Sequence, residues 1–340
     1  MKKVFIALSG GVDSSVAAAI LMEHNYSVEG FTISTGCDGG AAVRDASEVA
    51  ATLGIPHHVL DYADLFRRCV TQPFVVEYLR GRTPNPCVEC NRTIKFGAAL
   101  DWALEKGADF IATGHYAEIT HDERGYHLLR SENLGKDQTY VLYNLNQRIL
   151  AHTLLPGGSM DKADIRRRAA ALGLAVSDKP DSQDICFIPD GDYCGYIERS
   201  LGAPVEEGRF IDADGRVLGH HKGIIRYTVG QRKGLGVSFG RPMFVTAINA
   251  ADNTVTLGTA EDVFKTSLDA ERVNFIGERP DLPFRAQVKV RYSGPTADAT
   301  VTPTDSGVHI DFDSPVRSVT PGQSAVFYSG RELLGGGIIL

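Results

Sequence analysis

The sequence predicts an α/β chain of three domains: a parallel-sheet domain over residues 1–155, a small α+β central domain over 156–208 and a C-terminal antiparallel β-barrel over 209–340. Strand-like and helix-like segments alternate in the first part of the chain, and a Pro-Gly-Gly linker begins at Pro156. Short strands broken by Gly, Pro and Asp fill the last part. A length of 340 residues also exceeds what one hydrophobic core usually holds.

The first domain alternates strands and helices in order. Apolar runs predict strands at Val4–Leu8, Val28–Ile33, His57–Leu60 and Phe110–Ala112. Helical spacing of apolar residues predicts helices at Ser14–Glu23, Ala41–Leu53, Leu65–Leu79 with an interruption near Pro73, and around Phe96–Leu104. Ligands of such folds lie beyond the carboxyl ends of the strands, so the loops after the first and fourth strands are candidate binding loops.

The stretch SGGVDSS, which begins at Ser9, is a candidate phosphate-binding loop. It follows the first strand and opens the first helix, and Gly10 and Gly11 let the backbone approach a ligand closely. The amides at the helix start favour an anion, and Asp13 or Ser14 is placed to cap that helix. The loop matches neither GxxxxGK[ST] nor GxGxxG. A glycine turn that binds no ligand is the alternative interpretation.

Cys87 and Cys90 form the single CxxC pair of the chain. Half of a zinc site is one interpretation, but a structural zinc site needs four ligands and there is no second pair. Pro84 and Pro86 predict an extended loop that presents the thiols outside regular structure. The chain has no apolar run of membrane-spanning length and no cleavable leader pattern, so we expect it in the cytoplasm, where cysteines stay reduced.

Positive charge is concentrated in one interval although the formal net charge is −7. From Gly215 to Ala251 there is no Asp or Glu. The interval carries Arg216, Lys222, Arg226, Arg232, Lys233 and Arg241. A solvated surface is the ordinary explanation of a charge run, but so long an acid-free interval favours contacts with nucleic-acid phosphates.

Several motifs together resemble one enzyme family. SGGVDSS resembles the PP-loop of ATP pyrophosphatases, which cleave ATP between the α and β phosphates. The motifs TPNPCVECNRTIKF, TGHYA, GKDQTYVLY, DSQDICFIP and GHHKGIIRYTVGQRKGLG resemble successive signatures of the bacterial tRNA-specific 2-thiouridylases. The match runs from the first strand to beyond Pro321-Gly322-Gln323, and the motifs are specific only in combination.

The resemblance implies a sulfurtransferase that uses ATP and Mg²⁺. ATP would activate the C2 oxygen of the wobble uridine of a tRNA, and sulfur from an upstream donor protein or a sulfide source would replace that oxygen. Cys186 would carry a persulfide, and Cys90 would attack to release the sulfur, leaving a disulfide between the two. The implied ATP site is Ala7, Leu8, Ser9, Gly10, Gly11, Val12, Asp13, Ser14, Ile33 and Gly114. The implied tRNA contacts are Asn85, Pro86, Cys87, His115, Lys136, Asp137, Gln138, Arg291, Tyr292 and Gln323.

The chain departs from the family pattern at Cys87, where many relatives carry Asp. An acid or base role at this position is therefore in doubt. Cys87, Cys90 and Cys186 form a set of three thiolates that could hold a [4Fe–4S] cluster with one iron open to sulfide, which is an alternative to the persulfide route. The remaining cysteines lie outside the motifs, and we expect them to serve packing: Cys37, Cys69 and Cys194.

Two other functions remain open at the level of sequence. One is a PP-loop adenylating enzyme that acts on a small metabolite. The other is a non-catalytic RNA-binding or metal-storage module. A tRNA enzyme forms AMP only when tRNA is present, whereas an adenylating enzyme of small metabolites does not need tRNA. An Asp13→Ala variant loses AMP formation if the protein is an enzyme, whereas a non-catalytic module is unaffected.

Overall fold

The computed structural model describes residues 1–37, 39–178, 185–237 and 240–340. The first four residues of the motif DSQDICFIP lie outside these ranges, whereas Cys186 lies within them. None of the helices in the described ranges is both long enough and apolar enough to span a membrane.

The elements follow one another in a mixed order. The strands are β1 (Lys3–Ala7), β2 (Ser27–Ser34), β3 (His57–Asp61), β4 (Phe110–Ala112), β5 (Ala117–Asp122), β6 (Gly125–Arg130), β7 (Thr153–Leu154), β8 (Gly208–Ile211), β9 (Val217–His221), β10 (Phe244–Asn249), β11 (Thr254–Gly258), β12 (Phe264–Phe275), β13 (Phe284–Lys289), β14 (Thr296–Pro303), β15 (Gly307–Arg317), β16 (Ser324–Ser329) and β17 (Glu332–Ile339). The α-helices are α1 (Val12–Glu23), α2 (Ala41–Leu53), α3 (Ala63–Phe66), α4 (Gln72–Leu79), α5 (Pro86–Cys90), α6 (Ala99–Glu105), α7 (Gln147–Ala151), α8 (Lys162–Ala171) and α9 (Tyr193–Leu201). Two π-helical segments join neighbouring helices, at Arg67–Thr71 and Asn91–Ala98.

A parallel sheet of the order β3-β2-β1-β4-β7 forms the first domain. The central strand β1 is buried on both faces: Val4 and Ile6 belong to the apolar cluster of α1 and α2, and Phe5 belongs to the cluster of α6. A strand covered on both faces is what the continuous apolar run predicts. The predicted strand–helix alternation is therefore confirmed, and the carboxyl ends of β1, β2 and β4 meet at one edge.

The predicted interruption near Pro73 is wrong, because the helix continues from α3 through the π-helical segment into α4. Pro73 lies in the first turn of α4. Proline removes one amide donor from the α-helical pattern, and the wider i→i+5 spacing of the preceding π-helical residues accommodates that loss without ending the helix.

The predicted β-rich C-terminal half is confirmed and contains two sheets. The first has the order β10-β11-β8-β9 and encloses Phe210, Val245 and Val255. The turn between β10 and β11 contains Asn253, whose φ of 49° is left-handed. The second sheet has the order β12-β15-β14-β13-β16-β17-β6-β5, and an additional pairing of β12 with β17 closes the barrel. The domain bounds at residues 155 and 208 remain a prediction.

One hairpin of the first domain was not predicted and belongs to the barrel sheet. Strands β5 and β6 pair with each other, and β6 pairs with β17 through Leu128 and Leu333. Both leucines lie in an apolar cluster that also contains Phe5 of the parallel sheet and Tyr328 of β16. The first domain and the barrel therefore share one hydrophobic core.

We predict that Leu128→Ala destabilises both parts of the molecule together. Leu128 is fully buried in the shared core. Truncation of a buried leucine costs about 2–5 kcal/mol through lost transfer energy and the remaining cavity. Urea unfolding followed by far-UV circular dichroism should show this loss in a single transition. Leu134→Ala, at an exposed leucine, is the control. A loss of less than about 1 kcal/mol would contradict the shared core.

Candidate active site at the carboxyl edge of the parallel sheet

The predicted phosphate loop lies between β1 and α1. Gly10 has a φ of 69°, and a Cβ atom there would lie 2.8 Å from the Cβ of Asp45, so both backbone and space require glycine. The predicted cap by Asp13 or Ser14 is wrong: Gly11 is the N-cap without a side-chain cap bond, and Ser14 Oγ donates to the Gly11 carbonyl oxygen at 3.1 Å. In the described chain, no side chain caps the first amides of α1, which leaves them to an anionic ligand.

Asp13 is held from two sides in the first turn of α1. The ammonium of Lys162, at the start of α8, lies 2.7 Å from each carboxylate oxygen, and the Tyr116 hydroxyl donates to Oδ1 at 2.5 Å. The Lys162 and Asp13 side chains are only partly exposed. Lys162 is not among the predicted site residues, because nothing in its local sequence distinguishes it from a surface lysine. These two partners fix the direction of the Asp13 carboxylate.

The TGHY turn after β4 packs directly on the phosphate loop. A Cβ atom on Gly114 would lie 2.7 Å from the backbone nitrogen of Ser14, so this contact requires glycine. The neighbouring His115 is half-buried, and its Nδ1 lies 2.8 Å from the Thr113 hydroxyl oxygen. Burial, and then the nearby charge of Lys95, lower the pKa of His115 well below its ordinary value. The imidazole is therefore neutral at pH 7.

The CxxC pair lies on a helix, and the predicted extended loop is wrong. Pro86 occupies the first turn of α5, and Asn85 is its N-cap, with its side-chain oxygen accepting from the Cys87 amide at 3.1 Å. Proline is favoured in a first helical turn because the amide it lacks would have no helical partner, and Asn is a preferred N-cap. The sequence NPCVEC thus starts a helix that carries Cys87 and Cys90.

The loop before α5 is clamped by the C-terminal barrel. The Thr83 amide donates to the Pro321 carbonyl oxygen at 2.8 Å, and Gln323 Nε2 donates to the Thr83 carbonyl oxygen at 2.7 Å. Gly322 between them has a φ of 89°, and a Cβ atom there would lie 2.9 Å from the Thr83 nitrogen. Gln323, a predicted tRNA contact, therefore holds the thiol-bearing loop through its amide nitrogen.

Apolar packing places Cys186 next to the helix that carries Cys90. Its neighbour Phe187 is buried in a cluster with Phe66 and Phe74 of the α3–α4 helix, and Cys90 and Ile185 pack against that cluster. Phe187 makes edge-on contacts with both of these rings, at centroid distances of 5.6 and 5.3 Å. This packing brings the segment with Cys186 onto the helix with Cys90. All described cysteines are free thiols.

The three predicted catalytic thiols interact electrostatically. Burial, and then the neighbouring Cys90 and Cys87, raise the pKa of Cys186 to about 12, while Lys95 opposes the shift. Burial also raises the pKa of Cys90 and of Cys87, and Lys95 again opposes the shift. Since raised pKa values favour the neutral thiol, all three are protonated at pH 7, and Lys95 is the cation that favours their ionised form.

The three thiols are also the predicted ligands of the alternative [4Fe–4S] cluster. Among the described residues, no group of three or more His, Cys, Asp and Glu side chains lies close enough together to hold one metal ion. Cys87 and Cys186 are exposed and Cys90 is half-buried. Because a cluster binds each cysteine through a different iron, the cluster stays a prediction.

The remaining cysteines divide into two groups. Cys69 and Cys194 pack in the apolar cluster of the α3–α4 helix, as predicted. Cys37 is exposed after β2, so its predicted packing role is wrong, and its charge contributes to the raised pKa of Cys186. Its position follows from the turn after β2, which opens at the same edge as the other thiols.

The side chains of two predicted tRNA contacts form hydrogen bonds within the protein. Asp137 is 5% exposed, and its carboxylate oxygens accept from the Thr139 hydroxyl at 2.9 Å. Gln138 Oε1 accepts from the Tyr116 amide at 2.9 Å. Both residues therefore shape the wall behind the TGHY turn, and the side chain of Asp137 lies away from solvent.

Arg291 and Tyr292 follow β13 and differ in exposure. The Arg291 guanidinium donates to the Ser318 carbonyl oxygen at 2.8 and 3.2 Å and is half-buried. Tyr292 is 41% exposed, and the Cys87 thiol is near enough to raise the pKa of its hydroxyl, after burial and Asp137. The exposed ring of Tyr292 therefore borders the thiols from the barrel side.

Most of the predicted basic interval is exposed. Arg226 is the exception, since it is half-buried and its guanidinium lies 2.8 Å from Glu198. The other five cations are exposed, namely Arg216, Lys222, Arg232, Lys233 and Arg241. They form the basic surface of the middle sheet and the segments beside it.

Family models match almost the whole chain. Residues 2–190 match the tRNA methyl transferase HUP domain, residues 196–259 the tRNA methyl transferase PRC-barrel domain, and residues 265–339 the aminomethyltransferase beta-barrel domain. A solved structure of a 4-thiouridine synthetase–RNA complex with bound ATP is 19% identical with a TM-score of 0.39, over 59% of this chain and 50% of that one.

Curated relatives match over nearly their full length. The tRNA-specific 2-thiouridylase MnmA of Acetivibrio thermocellus is 49% identical, with 99% of each chain covered. The same enzyme of Clostridioides difficile is 48% identical, with 99% of this chain and 98% of the relative covered. With a shared parallel-sheet domain, PRC-barrel and C-terminal barrel, the chain belongs to the tRNA-specific 2-thiouridylase family.

Proposed function

We propose that the chain catalyses the ATP-dependent 2-thiolation of the wobble uridine of tRNA. The observation that carries this proposal is the position of Lys95. Its charge acts on His115 after β4 and on all three thiols. Phe96 of the same helix lies 5.8 Å from the His115 ring, and Ile33 of β2 packs with Cys90 against one apolar cluster, so the thiol helix lies at the sheet edge where the phosphate loop ends. An activating loop and a sulfur-transfer pair at one edge are what this reaction requires, and the named relatives support the same activity.

The proposed first step is adenylation of the uridine C2 oxygen. The backbone from Ala7 to Ser14, with Ile33 of β2 and Gly114, would hold ATP and Mg²⁺, and the uncapped amides of α1 would bind phosphate oxygens. Attack by the C2 oxygen on the α-phosphate releases pyrophosphate. The oxygen then leaves as part of AMP, which makes it a far better leaving group than a carbonyl oxygen.

The proposed second step is sulfur transfer through a persulfide on Cys186. The terminal sulfur attacks C2 and AMP leaves with the former C2 oxygen. The Cys90 thiolate attacks the inner sulfur, so the bond between the two sulfurs of the persulfide breaks, a Cys90–Cys186 bond forms and the terminal sulfur remains on the uridine. A two-electron thiol reductant restores the two thiols, and a persulfide-bearing donor reloads Cys186.

The ammonium of Lys95 would stabilise the thiolates that this route requires. The raised pKa values of Cys90 and Cys186 mean that each must lose a proton before it acts as a nucleophile. Lys95 lies five residues after Cys90 on the same continuous helix and is half-buried. Its ammonium stabilises the thiolate once the proton has left.

The basic surface would hold the tRNA while the anticodon loop enters the cleft. Exposed cations bind phosphates without reading sequence. A uridine stacked in the anticodon loop must be flipped out to reach the thiols, and the exposed Tyr292 ring offers a stacking surface beside Cys87. The protein therefore combines general affinity from the surface with base placement in the cleft.

Asp13→Ala should abolish the activating step. The carboxylate organises Lys162 and Tyr116 beside the phosphate loop, so we expect AMP formation to fall at least about a hundredfold. The assay is AMP release from ATP with an in vitro transcript of a wobble-uridine tRNA. Asp64→Ala, at an exposed residue of α3, is the control. Wild-type AMP formation that does not depend on tRNA would instead support a small-metabolite adenylating enzyme.

The cysteines provide a test of the sulfur route. Cys90→Ser and Cys186→Ser should each abolish 2-thiouridine formation, measured by mass spectrometry of digested tRNA, because each removes one partner of the disulfide. Cys69→Ala should retain it. Iron-free Cys87→Ala, prepared without oxygen, should also thiolate tRNA. If thiolation requires iron and Cys87, the persulfide route is wrong.

The raised pKa of Cys186 predicts slow alkylation despite exposure. Below pH 12 the group is mainly a neutral thiol, so iodoacetamide at pH 8 should modify Cys186 at least about tenfold more slowly than a free cysteine peptide. The rate should rise with each pH unit up to pH 10. Peptide mass spectrometry gives the rate for each cysteine, and a rate that levels off below pH 9 would contradict the predicted protonation state.

A further inference from the structure

Lys289 is buried on a strand face where its neighbours are accessible. It ends β13, in which Ala286 and Val288 face the barrel core. Arg285, Gln287 and Lys289 alternate with them and lie on the opposite face. Arg285 is exposed and Gln287 half-buried, whereas Lys289 is only 7% exposed. A part of the protein outside the barrel core therefore covers this lysine.

Two tyrosine rings cover Lys289. Its Nζ atom lies 6.0 Å from the ring centroid of Tyr140 and 5.9 Å from that of Tyr292. The two rings are 5.9 Å apart and nearly perpendicular. Tyr140 is fully buried and comes from the GKDQTYVLY motif, while Tyr292 is partly exposed. The ammonium thus lies between an inner wall and the exposed ring that borders the cleft.

No acidic partner neutralises this lysine within the part of the chain that the structure describes. Its ammonium makes no ion pair and donates no hydrogen bond there. The acid whose charge reaches it, Asp137, already accepts from the Thr139 hydroxyl and the Ser131 amide and lies 3.5 Å from Arg130 Nε. Two cations, Lys289 and Arg130, therefore share one carboxylate. Two cations and one carboxylate leave this site with one positive charge that has no counter-charge. A buried charge without a partner is costly, so an anion that reached the site would be bound favourably.

The Tyr292 ring links the unpaired charge to the thiol helix. Its centroid lies 5.9 Å from Lys289 Nζ, its hydroxyl interacts with the Gln138 side chain, and Cys87 is near enough for its ionised form to raise the pKa of that hydroxyl. A uridine whose C2 atom meets the thiols would carry its own 5′ and 3′ phosphates to the cleft wall next to it. The group missing from the Lys289 site is an anion, and a phosphodiester is the anion that every nucleotide brings.

We propose that Lys289 binds a phosphate of the tRNA adjacent to the flipped uridine, while the uridine stacks on Tyr292. This inference rests on the proposed function. Lys289 is thereby a substrate-positioning cation distinct from the exposed basic surface: it pairs with a phosphate only after the nucleotide has entered the cleft, and its site is already shaped by Tyr140 and Asp137.

Matched charge removals test the proposal. Binding of tRNA is measured at several salt concentrations for the wild type, Lys289→Met, Lys289→Arg and Lys106→Met. Lys106 is exposed at the amino edge of the parallel sheet, opposite the site, so its variant removes the same charge elsewhere. We expect Lys289→Met to weaken binding about tenfold and to reduce the slope of log K against log salt by about 0.7 to 1, the loss of one phosphate contact. Lys289→Arg and Lys106→Met should keep the wild-type slope.

The stability of the free protein separates binding from a structural role. Met has nearly the length of Lys and leaves no buried charge, so Lys289→Met should melt at the wild-type temperature or above. A structural lysine would instead give a lower melting temperature together with an unchanged salt slope, and that result overturns the proposal. An unchanged affinity and slope in Lys289→Met also overturns it. Failure of the wild type to form 2-thiouridine would refute the proposed function instead.

Discussion

The contact between the Pro321–Gln323 turn and Thr83 determines where the thiol helix lies. Two hydrogen bonds and a glycine without room for a Cβ atom fix the loop that leads into α5. Because Cys87 is in the first turn of that helix, a displacement of the turn displaces both thiols of the CxxC pair. The barrel therefore helps to position the two thiols of the CxxC pair.

The site has three supports that are far apart in sequence. The parallel sheet supplies the phosphate loop, the barrel holds the thiol helix, and apolar packing of Phe187 delivers Cys186. The shared core around Leu128 joins the first two, since the β5–β6 hairpin extends the barrel sheet beneath the parallel sheet. Placement of a reactive pair to within hydrogen-bond tolerance needs such supporting contacts, because a loop alone would leave Cys186 too mobile to meet Cys90 repeatedly.

Local sequence rules predicted the features that depend on nearby residues. The phosphate loop and the first four strands follow from apolar runs and glycine spacing, which act within a few residues. The helical state of the CxxC pair depends on competing local rules: proline restricts the residue before it yet also favours a first helical turn. The β5–β6 hairpin, Lys162 and Lys289 could not be found this way. The place of each in the fold depends on a partner more than a hundred residues distant, namely β17 for the hairpin, Asp13 for Lys162 and Tyr140 for Lys289, and no periodicity in the chain encodes those contacts.

The distribution of charge separates attraction of the substrate from its placement. The net charge of the chain is −7, so in the proposed reaction the exposed cations between Arg216 and Arg241 would supply an early contact with the tRNA phosphates. Lys95 and Lys289 lie within the protein, where solvent screens them less but phosphates reach them only after water has left. The attraction between these ammonium groups and a phosphate would therefore stabilise a nucleotide that has entered the cleft. It would not stabilise a nucleotide that remains stacked in the anticodon loop. In the proposed reaction, buried cations would therefore favour the flipped state, whereas surface cations would bind both states equally.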